Sequence, residues 1–191
     1  MSGPTAFEER YKRDADPWNA LTDPTELSKA QHVLTACGPG PFERACDVGA
    51  GNGVLTAQLA ARCRQLIAID GAPSAVAEAN ERLRAWPAAE AVVGAIPRDL
   101  PAGPFDLIVA SEVLFYLTSS ELDGFAAWLP RALALGGRIV AVHWTGNAAD
   151  IEQHAEVCHD TISETTPLLH QRTDRKPTYR LDVWERSWQA T

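Results

Sequence analysis

The sequence predicts an α/β domain with a mostly parallel sheet covered on both faces. Three observations predict it. Short apolar runs alternate with segments of helical spacing in units of about thirty residues, as successive β-α-β crossovers do. The first run, "ERACDVG", stops on a glycine-rich turn, "CDVGAGNG" at 46–53. The second, "LIAID", stops on an acid, Asp70. In an open parallel sheet the carboxyl ends of the strands share one edge, and ligands bind there.

The elements follow in order. "DPTELSKAQHVLTA" opens a helix: Asp23 can cap it, Pro24 suits its first position, and Glu26 sits where a capping box would close. "GPGPF" breaks the chain before the first strand. "VLTAQLAARC" has helical spacing, with apolar residues at 54, 55, 59 and 60. After Asp70, Gly71 turns the chain and Pro73 starts a helix through about Arg84. "AAEAVVGA" is a third strand, and "FDLIVAS" a fourth, apolar enough to be central. "TSSE" at 118–121 is a capping box opening a helix that Pro130 breaks or kinks. Gly136 and Gly137 end that region, "RIVAVHW" is a fifth strand, and "ADIEQHAEVCHDTISE" a further helix. "PLLHQR" and "TYRLDVWER", joined by "TDRKP", close the chain as a hairpin.

Composition bounds the function. The chain has 191 residues, 46% hydrophobic and 22% charged, which suits one globular domain with its own core. A net charge of -8 argues against nucleic acid as a partner, because phosphate contacts need clustered Lys and Arg. It is compatible with a small cationic ligand. Cys37, Cys46, Cys63 and Cys158 form no C-x-x-C or zinc pattern, so reduced thiols and no metal are expected. The start, "MSGPTAFEERYKRD", has no apolar signal core, and no apolar run approaches membrane-spanning length. A soluble cytoplasmic chain without a membrane partner is the expectation, and its oligomeric state is left open.

The glycine turn discriminates between ligands. A dinucleotide fingerprint starting at Gly49 needs glycine at 54, where the chain has Val54. A phosphate loop needs a lysine that is missing. The pattern present is D-x-G-x-G-x-G, with Asp47 two residues before Gly49. That anion repels a pyrophosphate and suits an ammonium. S-adenosylmethionine carries an ammonium, a sulfonium and a ribose. A carboxylate at Asp70 can accept both ribose hydroxyls in charge-assisted hydrogen bonds.

With these motifs, "RACDVGAGNGVLTAQLAARCRQLIAID", "FDLIVASEVLFYL" and "LALGGRIVAVHW" resemble the class I S-adenosylmethionine-dependent methyltransferases over most of the chain. "FEERYKRDADPWNA" and "YRLDVWER" resemble the nodulation protein S-type subfamily, whose namesake N-methylates the free amino group of a chito-oligosaccharide. The resemblance implies one methyltransferase domain over 1–191, with 1–35 as a helical lid. It implies a Rossmann-like sheet of seven strands in the order 3-2-1-4-5-7-6, the last antiparallel. It places Asp47, Gly49 and Ala50 at the methionine end, Gly51 under the ribose, Asp70 on the ribose hydroxyls, and Gly71 and Ala72 beside the adenine. Ala95 and Ile96 match the adenine-edge position, where many members have an acid; Asp99 lies further on. Ser111, Glu112 and Val113 match the segment that meets the methionine. Trp18 matches the lid, or else is a core tryptophan. Lys29 matches a basic residue that could pair with the methionine carboxylate, or else is a solvated surface lysine.

An amine acceptor must lose a proton before or during transfer, so a general base is expected. His143, Glu112 and Tyr116 are the candidates, His143 having the best intrinsic pKa. The alternative for His143 is a hydrogen-bonded structural histidine. His154 and His159 are expected at the surface. "SEVL" lacks the N/D-P-P-Y/F motif of amino-nucleobase enzymes, "HWTGN" lacks the Asp-Asn pair of catechol-type enzymes, and Glu112 alone cannot supply the paired glutamates of protein arginine enzymes. The expectation is N-methylation of an amino sugar or related small amine. O-methylation of a hydroxyl or carboxylate, a non-catalytic S-adenosylmethionine-binding protein and, more distantly, an NAD-dependent oxidoreductase remain open.

Overall fold

A computed structural model describes residues 4–188. Two helices, α1 (Pro4–Arg13) and α2 (Pro24–Cys37), precede β1 (Ala45–Val48), α3 (Val54–Ala60), β2 (Leu66–Asp70), α4 (Pro73–Leu83) and β3 (Ala89–Val93). Then come β4 (Phe105–Ser111), a 3-10 turn at Leu114–Tyr116, α5 (Ser119–Ala132), β5 (Leu133–Trp144), α6 (Ala155–Thr165), β6 (Leu169–Arg175) and β7 (Tyr179–Glu185). The strands form one sheet in the order β3-β2-β1-β4-β5-β7-β6. β7 is antiparallel to both of its neighbours, and the pairs from β3 through β5 are parallel. The order and the reversed last strand agree with the sequence reading.

Side-chain alternation explains why the sheet is covered twice. Leu107 and Val109 of β4 join one core with Val33, Leu34, Leu59 and Leu83 from α2, α3 and α4. Ile108 and Ala110 join the other, with Phe125 and Leu129 of α5 and Ile162 of α6. Successive strand residues point to opposite faces, so an all-apolar strand needs helices on both sides. β6 at the sheet's edge is different: nearly all its residues are exposed.

The register sets the site. Val48 on β1 lies opposite Ile69 on β2 and Ala110 on β4. These strands therefore end at the same level, with Gly49, Asp70 and Ser111 side by side.

Several local expectations are corrected. α1 is an additional helix. Its apolar face, Phe7 and Tyr11 at i and i+4, packs on Tyr116 and Trp18 from elsewhere in the chain. Asp23 caps α2 through Thr25 N–H at 2.7 Å, but Glu26 does not complete a capping box: its carboxylate takes Lys29 Nζ at 2.9 Å. Pro130 sits in the last turn of α5, which runs on to Ala132. Gly136 and Gly137 lie within β5, where Gly136 has a φ of 74° and the register with β4 shifts. A bulge, rather than a strand start, is what the pair provides. α6 begins only at Ala155. His154 is exposed as expected, but His159 is fully buried, because it faces β5 and β7.

The 118–121 capping box is present. Thr118 N–H donates to Glu121 Oε2 at 2.9 Å and Glu121 N–H donates to Thr118 Oγ1 at 3.3 Å. Thr118→Ala is expected to lower the unfolding free energy by about 1 kcal/mol. Urea denaturation should show a lower midpoint with an unchanged m value.

Candidate active site

The C-terminal ends of β1, β2 and β4 open into a cavity of about 860 Å³. Asp47, Gly49, Ala50, Gly51, Asp70 and Gly71 line it from β1 and β2; Ala95 and Ile96 line it after β3; Ser111, Glu112 and Val113 line it after β4; Trp18 and Lys29 line it from the N-terminal segment. Gly49 and Gly51 have φ values of 75° and 53°. A Cβ on Gly49 would run into the Val113 side chain, and one on Gly51 into the Tyr11 hydroxyl. Only glycine both adopts that backbone and leaves that space.

Asp70 organises the turn beneath the cavity. Its Oδ2 accepts Gly51 N–H at 2.8 Å and its Oδ1 accepts Ala72 N–H at 2.9 Å. Each carboxylate oxygen has two lone pairs, so each keeps one for a hydroxyl. Burial raises its pKa, against the pull of these amides. Asp47 is buried, and Thr56 Oγ1 donates to its Oδ2 at 2.7 Å. Burial pushes its pKa up to about 6, against the Thr56 bond and with help from the Asp70 charge. A cation beside Asp47 would relieve that penalty. A ribose diol at Asp70 and an ammonium at Asp47 therefore fit the residues present.

Glu112 is the strained residue. It has a φ of 55° in the left-handed region, which costs a non-glycine residue about 1–3 kcal/mol. Its N–H donates to Val142 O at 2.8 Å. Its side chain accepts Lys29 Nζ at Oε1 and Trp144 N–H at Oε2, the latter at 2.9 Å. Burial raises the Glu112 pKa, opposed chiefly by Lys29. Lys29 is 6% exposed. Burial lowers its pKa, but Glu112 and Glu26 outweigh that and hold it up. A solvated surface lysine is therefore excluded.

An aromatic wall closes one side. Trp18 lies against Tyr11 at 5.4 Å and Phe7 at 6.1 Å, with the Arg10 guanidinium 5.2 Å above its ring. Phe7 meets Tyr116 edge-on at 4.7 Å, and Tyr116 meets Phe115 at 4.5 Å. Burial, then Asp150 and Glu112, push the Tyr116 phenol up to about 12, so it is neutral near pH 7.

Two expected residues, His143 and Ala72, stand outside the lining, as does Asp99. His143 is fully buried and outside the cavity lining, because α6 and β7 cover it. Its Nε2 accepts Leu114 N–H at 3.0 Å, and burial and then His159 hold its pKa well below the usual histidine range. Ala72 is also fully buried and outside the lining. Asp99 accepts Ala95 N–H at 2.9 Å and pairs with Arg98 at 2.9 Å, also away from the cavity.

Sequence reading missed much of the rim. Phe7, Arg10 and Tyr11 come from α1, and Arg10 reaches Asp150 at 2.9 Å. Glu8 takes Ser74 N–H and Oγ at the start of α4, at 2.8 Å and 2.9 Å. Asn52 Nδ2 donates to Ala15 O at 2.9 Å. The i, i+4 pair Phe7 and Tyr11 is the signal that could have shown this helix. Lining carboxylates also include Glu26, Glu121, Asp150 and Glu152; with Asp47, Asp70 and Glu112 they outnumber Arg10 and Lys29, the lysine and arginine side chains among the described lining residues.

A glycine turn, an acid-tipped second strand and a cavity over both define a Rossmann-like domain for an adenosine-bearing ligand. A family model described as a methyltransferase domain matches residues 45–137. Nodulation protein S of Rhizobium tropici is 35% identical over 127 residues, covering 65% of this chain and 53% of that protein. The chain spans about half the length of the curated relatives it matches. A protein of Pseudomonas syringae classed as a methyltransferase is 31% identical, with a TM-score of 0.75 over 85% of this chain and 99% of that one. The N-methyltransferase NodS of Bradyrhizobium japonicum, solved with S-adenosylhomocysteine, shares the fold at a TM-score of 0.84 and 24% identity, over 95% of this chain and 97% of that one. The chain belongs to the methyltransferases, with the fold of the class I S-adenosylmethionine-dependent enzymes.

Two outcomes are expected by isothermal titration with S-adenosylhomocysteine. Asp70→Ala should weaken binding by about 100-fold or more, since two charge-assisted hydrogen bonds are lost. In the wild type, affinity should rise with pH through about 6 and then level off. The ligand ammonium favours ionised Asp47, and acid removes that charge. Asp47→Asn should flatten the profile.

Proposed function

We propose that this chain N-methylates a small molecule carrying a primary or secondary amine, an amino sugar being the best-fitting class. The observation that carries this is the rim: Glu112, Glu121, Asp150 and Glu152 outnumber Lys29 and Arg10, which pair with two of them, and Tyr116 and Trp144 line the same cavity. Carboxylates attract an ammonium, and aromatic faces suit both a cation and the apolar face of a sugar ring. The relative from Bradyrhizobium japonicum, named as an N-methyltransferase, supports the same reading.

S-adenosylmethionine, when bound, supplies an activated methyl group on a sulfonium. Asp70 and Gly51 hold its ribose end in this reading, and Asp47, Gly49, Ala50, Ser111 and Val113 its methionine end. Gly71, Ala95 and Ile96 flank the adenine, with the Ala72 backbone behind. Lys29, next to Glu112, stands where a carboxylate of the ligand would find a cation. Most of the rate then comes from positioning the acceptor nitrogen for in-line attack.

Proton handling follows from the groups present. Glu112 holds one bond on each oxygen and keeps lone pairs beside them. In this reading it therefore accepts from the acceptor's ammonium and lowers the energy of a cationic nitrogen nearby. Tyr116, neutral near pH 7, orients the amine through its oxygen. In this reading the amine's proton leaves to water at the open rim, and His143 is no base. In this reading the described part of 1–35 serves as a lid on one domain; the expected bounds at 1 and 191 lie outside the described residues. Four free thiols and the chemistry of a soluble acceptor support a cytoplasmic setting. No helix among the described residues is long and apolar enough to cross a membrane.

The test is radiolabelled methyl transfer to a panel of chito-oligosaccharides with a free amino group, simple amines, hydroxyls and carboxylates, beside Asp70→Ala. Label on nitrogen, lost in the variant, is expected. Label only on hydroxyls or carboxylates would overturn the amine reading in favour of O-methylation. Tight cofactor binding with no transfer to any class would favour a non-catalytic binding protein.

A further inference from the structure

The reading above leaves one set of buried polar groups unused. His143 near the end of β5, His159 on α6 and Asp182 on β7 are all fully buried and bonded in series. The series begins at Leu114, whose N–H donates to His143 Nε2 at 3.0 Å. A nitrogen that accepts carries no proton, so the proton of the neutral ring is on Nδ1. Nδ1–H then donates to His159 Nε2 at 2.9 Å. That nitrogen is bare in turn, and His159 Nδ1–H donates to Asp182 Oδ2 at 2.6 Å. Every proton points the same way, from the Leu114 amide towards the carboxylate. Arg180 Nε fixes the far end by donating to the same Asp182 oxygen at 2.6 Å.

The near end is the 3-10 turn at Leu114–Tyr116, which carries Tyr116 to the cavity. The amide of its first residue is buried and takes its acceptor from a side chain. The Phe115 ring also stands edge-on to the His143 ring at 5.2 Å. One side chain thus holds both the start of the turn and the aromatic residue behind Tyr116.

We propose that His143 is a positioning residue: its unprotonated Nε2, fixed by the His159–Asp182 chain, holds the turn that sets Tyr116 against the methyl acceptor. This rests on the methyl-transfer reading. His143 touches neither cofactor nor acceptor, so it acts through the turn alone. Burial keeps both rings neutral, in agreement with that arrangement. An imidazolium at His143 would present an N–H to the Leu114 N–H and release the turn.

The first test uses the unaltered protein. Long-range proton–nitrogen NMR should show the Nδ1–H tautomer for both His143 and His159 near neutral pH. An Nε2–H tautomer or a charged ring at His143 would overturn the proposal. The second test compares His143→Gln, whose amide oxygen can still accept from Leu114, with His143→Leu, which cannot. S-adenosylhomocysteine affinity should stay within about 2-fold of wild type in both. With the amine acceptor from the panel, kcat/KM should fall about 10-fold or more in His143→Leu, and His143→Gln should restore it to within about 3-fold. Equal loss in both variants, or loss in neither, would overturn it. Should His143→Leu not fold, the tautomers and the His143→Gln kinetics decide. A wild type that moves no methyl at all sinks the methyltransferase reading, while the tautomers still test the hydrogen-bond chain.

Discussion

The site depends on a constraint of register. β1, β2 and β4 end at one level, and each must be followed by a turn whose amides still need acceptors. Gly49 N–H and Ala50 N–H take Ile69 O, Gly94 N–H takes Asp70 O, and Glu112 N–H takes Val142 O. Every one of these bonds crosses from one strand's turn to the neighbouring strand's end. The cavity floor is the result of satisfying a sheet that stops all at once. Asp70 adds acceptors for Gly51 and Ala72 at the same level and lines the cavity above them.

Much of the fold was legible for the same reason. β2 and β4 are continuous apolar runs closed by a polar residue, and the sequence reading places both with the observed bounds. The 118–121 capping box is local chemistry and is found where its residues stand. Elements stabilised from a distance were not legible. α1 carries only the pair Phe7 and Tyr11 as a local signal, and what covers that pair, Trp18 and Tyr116, lies outside its ten residues. His143 reads either as a base or as a hydrogen-bonded structural histidine because its own strand is all the sequence shows, and the second is what stands there. His159 and Asp182, distant in sequence, bury it and occupy one nitrogen. Lys29 reads either as a partner for the ligand's carboxylate or as a solvated lysine, and its burial beside Glu112 removes the second.

The cofactor side and the acceptor side of the cavity differ physically. Asp47 and Asp70 are held in a poorly solvated environment, and burial is the leading cause of the rise in both their pKa values. Such groups are costly while their charge goes unmatched and reward a cation or a strong donor. Glu121 on the rim is tied to its own helix start and remains in contact with water. The inner acids select by desolvation; the outer ones only bias the approach of charge.

β6 carries a last consequence. An edge strand offers an unpaired row of backbone groups on which another chain can build. Here that row bears Arg172, Asp174 and Arg175, and Arg175 and Arg180 clasp Glu156 from the neighbouring helix. These ion-paired and exposed side chains keep the margin charged and hydrated. The sheet thus ends in a border where any added strand must first strip water from charged side chains.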